Sequence, residues 1–224
     1  MRLILRKAIE RRPTAIIFDF DGVILDSARV KTMAFASCYD GEDQRKIKEV
    51  IDYQERHGGI GRRQKFEYFE EHVFGRTVDP KRIDALCDHF ASIIDKAMIE
   101  APFVRGAEEL LARLDGRVPL HLVSGMPDAD LKLVLQRRGL ERYFASVAGS
   151  PKTKIDEFRR ILEIEGVPPA KMLAVGDSRT EFDAAIELGI PFLALVAPGA
   201  PDFFPPGTVR CRDLTEFDKL VPMA

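Results

Sequence analysis

The chain of 224 residues is 46% hydrophobic and 31% charged, and its 34 Lys and Arg against 36 Asp and Glu give a formal net charge of −2. That length holds one large domain, or one domain with a sizeable insertion. The composition excludes a protein that binds nucleic acid by neutralising phosphates and a disordered or collagen-like chain. No apolar run nears the roughly 20 residues of a membrane span.

The basic start, residues 1–12, lacks the long apolar core and small-residue cleavage site of a secretory signal. It reads as a first helix, a strand or a fraying arm, and the cytoplasm is the expected compartment. Residues 15–18, Ala-Ile-Ile-Phe, form a short apolar run followed at once by Asp19-Phe20-Asp21-Gly22. Such a run suits a buried parallel strand whose carboxyl end opens onto a site. Strand alternation puts Asp19 and Asp21 on one side. Two carboxylates crowded there repel unless a cation joins them, and a hard cation such as Mg²⁺ takes oxygen ligands. An Asp-x-Asp on its own is an ordinary solvated turn. The apolar strand before it and Gly176-Asp177-Ser178 after a later strand argue for a site, with Asp177 as third carboxylate.

Residues 28–101 are rich in charge, with apolar residues at helical spacing such as Phe66, Phe69 and Val73. They predict a helical insertion over the carboxyl edge of the sheet. Its clear interruption is His57-Gly58-Gly59-Ile60-Gly61, followed by Arg62, Arg63, Gln64 and Lys65. Three glycines before a basic helix start can bring backbone amides and Arg side chains to an anion, with Arg62 and Lys65 the favoured contacts to the non-phosphate part of a substrate. The alternative is a plain interhelical turn with a solvated basic face. His57 is either an acid–base group or the cap of a turn, and the other histidines read as structural.

Pro102 to Gly106 marks the return from the insertion. Predicted strands then cover residues 118–123, ending at Ser124-Gly125, residues 172–175, ending at Gly176-Asp177-Ser178, and residues 192–196. Helical patterns cover residues 129–138, 155–165 and 182–188. Strands alternating with helices imply a parallel α/β sheet with ligands at the carboxyl ends of the strands. Cys38, Cys87 and Cys211 are odd in number and far apart, which disfavours a disulfide framework or zinc site and suggests three buried thiols.

Phe18-Asp19-Phe20-Asp21-Gly22-Val23, Ser124 after its strand, Lys154 in the run from Gly149, and Gly176-Asp177-Ser178 with Glu181 occur in the order of the four motifs of the haloacid dehalogenase-like superfamily, which the chain resembles over nearly its whole length. The resemblance implies a Rossmann-like parallel sheet with helices on both faces. Residues 1–26 and 103–224 would be the α/β core and residues 27–102 a mobile helical C1 cap. It implies Asp19 as nucleophile toward phosphorus and Asp21 as the acid that protonates the leaving oxygen and then deprotonates water. Lys154, Ser124 and backbone N–H groups near Gly125 would stabilise the phosphoryl group. Mg²⁺ would be held by Asp19, the Asp21 carbonyl oxygen and Asp177, with Glu181 on a metal-bound water. Asp183 is an alternative to Glu181, and Lys152 to Lys154. An acid at Asp21 fits phosphoester hydrolysis or phosphomutase chemistry. The function implied is a Mg²⁺-dependent phosphatase of a small phosphorylated metabolite, a monomer or homodimer with no nucleic-acid or membrane partner. A phosphomutase similar to β-phosphoglucomutase and a non-catalytic phospho-ligand binder are the rivals.

Overall fold

The computed structural model describes residues 8–223, with Lys96 described by its backbone alone. Its centre is β1 (Ala15–Phe18), buried along its length. It pairs in parallel with β2 (Leu120–Pro127) on one side and β4 (Met172–Gly176) on the other. With β3 (Ser146–Ser150), β5 (Phe192–Leu195) and β6 (Val209–Cys211), the sheet has the order β3-β2-β1-β4-β5-β6, every pairing parallel. This is the doubly wound order in which the chain reverses direction across the sheet at β1, and ligands bind outside the strand ends at that point.

The helices follow from where the apolar residues of β1 point. Ile16 and Phe18 join one apolar cluster and Ala15 and Ile17 another, because successive side chains leave a strand on opposite faces. Between β1 and β2 the chain inserts α1 (Ala28–Ser37), α2 (Gln44–Arg56), α3 (Arg62–Tyr68) and α4 (Pro80–Glu100) before α5 (Ala107–Leu114). The α5 helix, α6 (Asp128–Arg138) and the short α9 (Phe217–Leu220) cover the Ile16 face. The α7 helix (Lys154–Glu165) and α8 (Arg179–Leu188) cover the Ile17 face.

The inserted helices begin where the local chemistry says they should. Asp43 and Asp79 each accept a backbone N–H as N-caps, and Pro80 occupies the first turn of α4, where its missing N–H is no loss. Aromatic side chains knit them together: Phe35 lies 4.2 Å from Phe90 and 5.1 Å from Phe66 between ring centroids. The fully buried Glu70 is matched by Arg82 at 2.5 Å. This cluster is continuous with the apolar layer over β1.

The two crossings between insertion and sheet lie side by side. Asp26 N–H donates to the Pro102 carbonyl at 2.9 Å, Val104 N–H to the Ile24 carbonyl at 3.0 Å, and Leu25 bridges Phe103 antiparallel. Arg138 on α6 donates to the carbonyls of Ile99 and Ala101 at 2.8 and 2.6 Å, closing the end of α4.

Several expectations shift. The strand expected over residues 118–123 starts at Leu120 and runs on to Pro127 through an irregularity after Val123. The helices expected from Ile155 and Phe182 start at Lys154 and Arg179. Strands β3 and β6 were not expected at all. Residues 8–12 form no helix or strand, though Ile9 N–H donates to the Leu220 carbonyl at 2.7 Å; residues 1–7 of the basic start lie outside the described residues. Cys211 is buried as expected, whereas Cys38 and Cys87 are only partly so, and all three are free. Among the described residues, no helix is long and apolar enough to cross a membrane.

Candidate active site

Three strand ends converge at the centre of the sheet. Asp19 follows β1 directly and is 5% exposed; its N–H donates to the Val175 carbonyl at 3.0 Å, which fixes it against β4. Lys154, the first residue of α7, reaches across so that Nζ donates to Asp19 Oδ1 at 2.6 Å and to the Val123 carbonyl, and lies 2.9 Å from Glu181 Oε1. The Thr153 side chain caps α7 by accepting from Asp156 N–H, which sets where Lys154 leaves the helix. At the end of β4, Asp177 is followed by Ser178, whose hydroxyl both caps α8 and donates to Glu181 Oε2.

The electrostatics follow from crowding. Burial pushes Asp19 up to about 7, and Glu181 and Asp21 add to that, while Lys154 pulls it down. Burial, then the charges of Asp19, Glu181 and Asp21, drive Asp177 well above the usual carboxylate range. Burial opposes charge on Glu181 too, but Lys154 and the Ser178 hydroxyl hold it below its ordinary value. Lys154 is itself kept above its usual value by Asp19 and Glu181, against the effect of burial.

The Asp21 side chain points elsewhere. It accepts from Ser27 Oγ at 2.7 Å and Lys31 Nζ at 2.5 Å, and the Ser124 hydroxyl lies 3.4 Å away. Burial opposes its charge, yet Lys31 and Ser27 hold it below the ordinary range. In this structure the cation beside the Asp21 carboxylate is the ammonium of Lys31. Gly22 makes the turn possible: its φ is +74°, and a Cβ there would overlap the Asp177 carboxylate. Both the left-handed backbone and the close approach demand glycine.

The glycine loop of the insertion rests directly on these strand ends. A Cβ on Gly59 would overlap Glu181 Oε1 and lie 2.9 Å from Thr180 Cβ, and one on Gly61 would lie 3.1 Å from Ser150 Cβ. A Cβ on Gly125 would lie 2.7 Å from the Gly59 carbonyl oxygen. These glycines let the inserted loop approach the sheet edge closely.

The remaining sequence-derived residues divide. Arg62 and Lys65 are buried, and both line a small cavity between the insertion and Gly125. Arg62 pairs with Asp130 of α6 at 2.8 Å. Lys152 does not join the site: its side chain is 52% exposed and lies 3.5 Å from Glu157. It precedes the N-cap Thr153, so the helix axis carries it outward while Lys154 turns in. Asp183 likewise faces outward and pairs with Arg179 at 3.0 Å, whereas Glu181 is 1% exposed within the cluster. The His57 ring packs on Tyr53 at 4.4 Å. Sequence reasoning missed Lys31, Ser27 as a partner of Asp21, and Ser178. Lys31 lies with Ala34 and Phe35 on an i, i+3, i+4 face that is buried, while Val30 and Met33 are exposed, a pattern that only the structure shows.

Asp19, Asp177 and Glu181 each offer a carboxylate oxygen, all within 4.8 Å of one another. Asp19 and Glu181, both buried, share the single ammonium of Lys154, and Asp177, half-buried beside them, is driven well above the ordinary carboxylate range by burial and then by their charge. An all-oxygen set with surplus negative charge fits a hard divalent cation such as Mg²⁺.

A family model described as haloacid dehalogenase-like hydrolase matches residues 13–189. A phosphoglycolate phosphatase of Synechococcus elongatus is 30% identical over 184 residues, 79% of this chain and 80% of that protein. The structure of a predicted phosphoglycolate phosphatase from Haemophilus somnus superposes with a TM-score of 0.73 at 17% identity, covering 94% of this chain and 98% of that one. A β-phosphoglucomutase from Clostridium difficile gives a TM-score of 0.66 at 19% identity over 84% and 86% of the two chains. With the motif residues gathered as they are at the ends of β1, β2 and β4, the chain belongs to the haloacid dehalogenase-like hydrolases and is a phosphatase of that family.

Proposed function

We propose that this protein hydrolyses the monoester of a small phosphorylated metabolite through an aspartyl-phosphate at Asp19, with Mg²⁺ as cofactor. The observation that carries the reading is the buried contact of Asp19 with Lys154 at 2.6 Å, beside a second acid that is separately held. Pure binding needs no buried nucleophile. Phosphate monoesters are among the slowest esters to hydrolyse unaided, and a covalent carboxylate intermediate splits that barrier.

Asp19 Oδ would attack phosphorus as the ester oxygen leaves on the opposite side. Lys154 holds Asp19 in place and balances charge on the phosphoryl oxygens. Asp21 gives a proton to the leaving oxygen and takes one from the water that later opens the acyl phosphate. Lys31 and Ser27 fix its carboxylate toward that space. Ser124 would donate to a phosphoryl oxygen. Asp19, Asp177 and the Asp21 carbonyl oxygen would hold Mg²⁺, with Glu181 on a metal-bound water, and the bound ion would neutralise developing charge on the phosphoryl group. Residues 27–102 would act as a cap over the core formed by residues 1–26 and 103–224, excluding water when the glycine loop is seated. We assign it to the cytoplasm, as a monomer or homodimer.

The test is phosphate release from a panel of metabolite phosphates, phosphoglycolate included because the Synechococcus relative carries that name, with Mg²⁺ and with chelator. Asp19→Asn should lower release at least about a thousandfold, and acid-quenched enzyme should carry phosphate on Asp19. Release that survives in Asp19→Asn would overturn the reading. Transfer of the phosphoryl group back to a sugar, rather than to water, would support the mutase instead. His57, packed on Tyr53, supplies no observation in favour of that alternative.

A further inference from the structure

The three cysteines of the chain are not equivalent. Cys211 is buried in β6, whereas Cys38 and Cys87 are half-buried and both belong to the inserted helices. Their placement follows from how those helices pack. The α1 helix leaves the sheet just after Asp26 and α4 returns to it at Pro102, and those two residues are hydrogen-bonded neighbours. The two helices therefore run antiparallel, and they meet where the Phe35 and Phe90 rings lie 4.2 Å apart. Residues three and four apart share one face of a helix. One turn further from the sheet, Cys38, the C-cap of α1, follows Phe35, and Cys87 precedes Phe90 on α4. One turn nearer the sheet, Lys31 and Ile94 are both buried. The two cysteines thus stand level with one another along the seam, and both pack against the apolar cluster that holds the two phenylalanines.

The ionisation of the two thiols is linked. Burial, and next the charge of Cys87, push Cys38 up to about 12, burial raises Cys87 as well, and the Arg62 guanidinium draws both the other way. Groups that alter one another's ionisation and feel one guanidinium are close together. Residues facing each other across packed helices fall within the roughly 4.4–6.8 Å between Cα atoms that a disulfide spans. We infer that Cys38 and Cys87 form a reversible dithiol–disulfide pair, a redox modification site of the insertion. In a reducing compartment such a pair stays as two thiols until an oxidant arrives. Oxidation by a peroxide takes two steps. One sulfur attacks the peroxide, the O–O bond breaks, and a sulfenic acid and one water form. The second sulfur then displaces the sulfenic hydroxyl, the S–S bond forms, and that hydroxyl leaves with the second thiol proton as another water. Two electrons pass from the sulfurs to the peroxide. The bond closes a loop of roughly fifty residues that contains α2 and α3, which restricts the unfolded chain and makes the insertion harder to unfold.

The test treats the full chain with hydrogen peroxide, then counts thiols after denaturation and maps the peptides by mass. Three thiols should react before treatment. Afterwards Cys211 alone should react, one peptide pair should be joined through Cys38 and Cys87, and dithiothreitol should restore all three. The bridged form should melt at least about 5 °C above the reduced form. In Cys38→Ser no internal bridge should form. Three thiols remaining under excess peroxide, a bond through Cys211, a bond between two chains, or a sulfinic acid in place of the bridge would overturn the pair. A bridged form that melts no higher than the reduced one would overturn it too, since a bond forced on unsuited geometry stores strain. If Cys38→Ser does not melt cooperatively, the peptide map of the native chain decides by itself.

Discussion

Lys31 shows how one side chain can tie the inserted helices to the chemistry. It sits on α1, yet its ammonium lies 2.5 Å from Asp21. Replacing it with Met should lower kcat by about tenfold or more at neutral pH, since a misplaced acid–base group forfeits much of its effect. The pH profile should move too. Lys31 holds Asp21 below the ordinary carboxylate value, against burial. Without it burial is opposed only by Ser27 and the charge of Lys65, the Asp21 value rises, and the basic limb set by loss of the Asp21 proton moves to higher pH. A profile of kcat/KM against pH checks this; an unmoved limb would assign Lys31 a packing role only. The carboxylates proposed for catalysis were legible because an apolar strand runs directly into Asp19-Phe20-Asp21-Gly22 and a second one into Gly176-Asp177-Ser178. Lys31 was not, because a lysine in a charged helix ordinarily faces water, and only the knowledge that Val30 and Met33 are exposed reverses that reading.

At the level of elements, the glycine loop between α2 and α3 and the sheet edge are shaped to one another. Gly59→Ala should leave the melting temperature within a few degrees, because the added methyl meets Glu181 and Thr180 across a seam rather than within either unit. It should raise KM and lower kcat together by about tenfold, since a 1 Å displacement of a closing element is felt in the chemistry. Steady-state kinetics beside a thermal melt separate the two effects; a large loss of stability with normal kinetics would contradict the seam. The same scale explains what the sequence concealed in the sheet. Strands β1, β4 and β5 are continuous apolar runs and read at once. Ser146–Ser150 carries two serines and a glycine, and Val209–Cys211 spans three residues with Arg210 at its centre. Each gains its conformation from a neighbouring strand rather than from its own pattern.

For the whole molecule, stability and function pull in opposite directions at the strand ends. Asp19 and Glu181 are buried and Asp177 half-buried within one small space, and burial, then the charges of Asp19, Glu181 and Asp21, drive Asp177 well above the ordinary carboxylate range. Mg²⁺ should therefore raise the melting temperature of the native chain. Asp177→Asn should raise it in the presence of chelator, by about 2–4 °C for each kcal/mol of repulsion removed. The same variant should lose both the Mg²⁺-dependent shift and activity. A variant no more stable than the parent under chelator would show that the cluster is relaxed without metal. The sequence made the sheet and its carboxylates visible but not this tension, which exists only once residues 19 and 177–181, far apart in the chain, share a volume.

The paired crossings between insertion and sheet bear on how such a lid can travel. A lid hung on one flexible strand can spin as well as tilt. Here Asp26 and Pro102, and Ile24 and Val104, are stitched as two antiparallel threads of one ribbon, and Arg138 pins the returning thread at Ile99 and Ala101. A ribbon bends across its width far more easily than it twists or shears. If the insertion closes as proposed, the ribbon would leave it a single swing, like a door on two pins, and each closure would bring Gly59 back over Glu181 without a search.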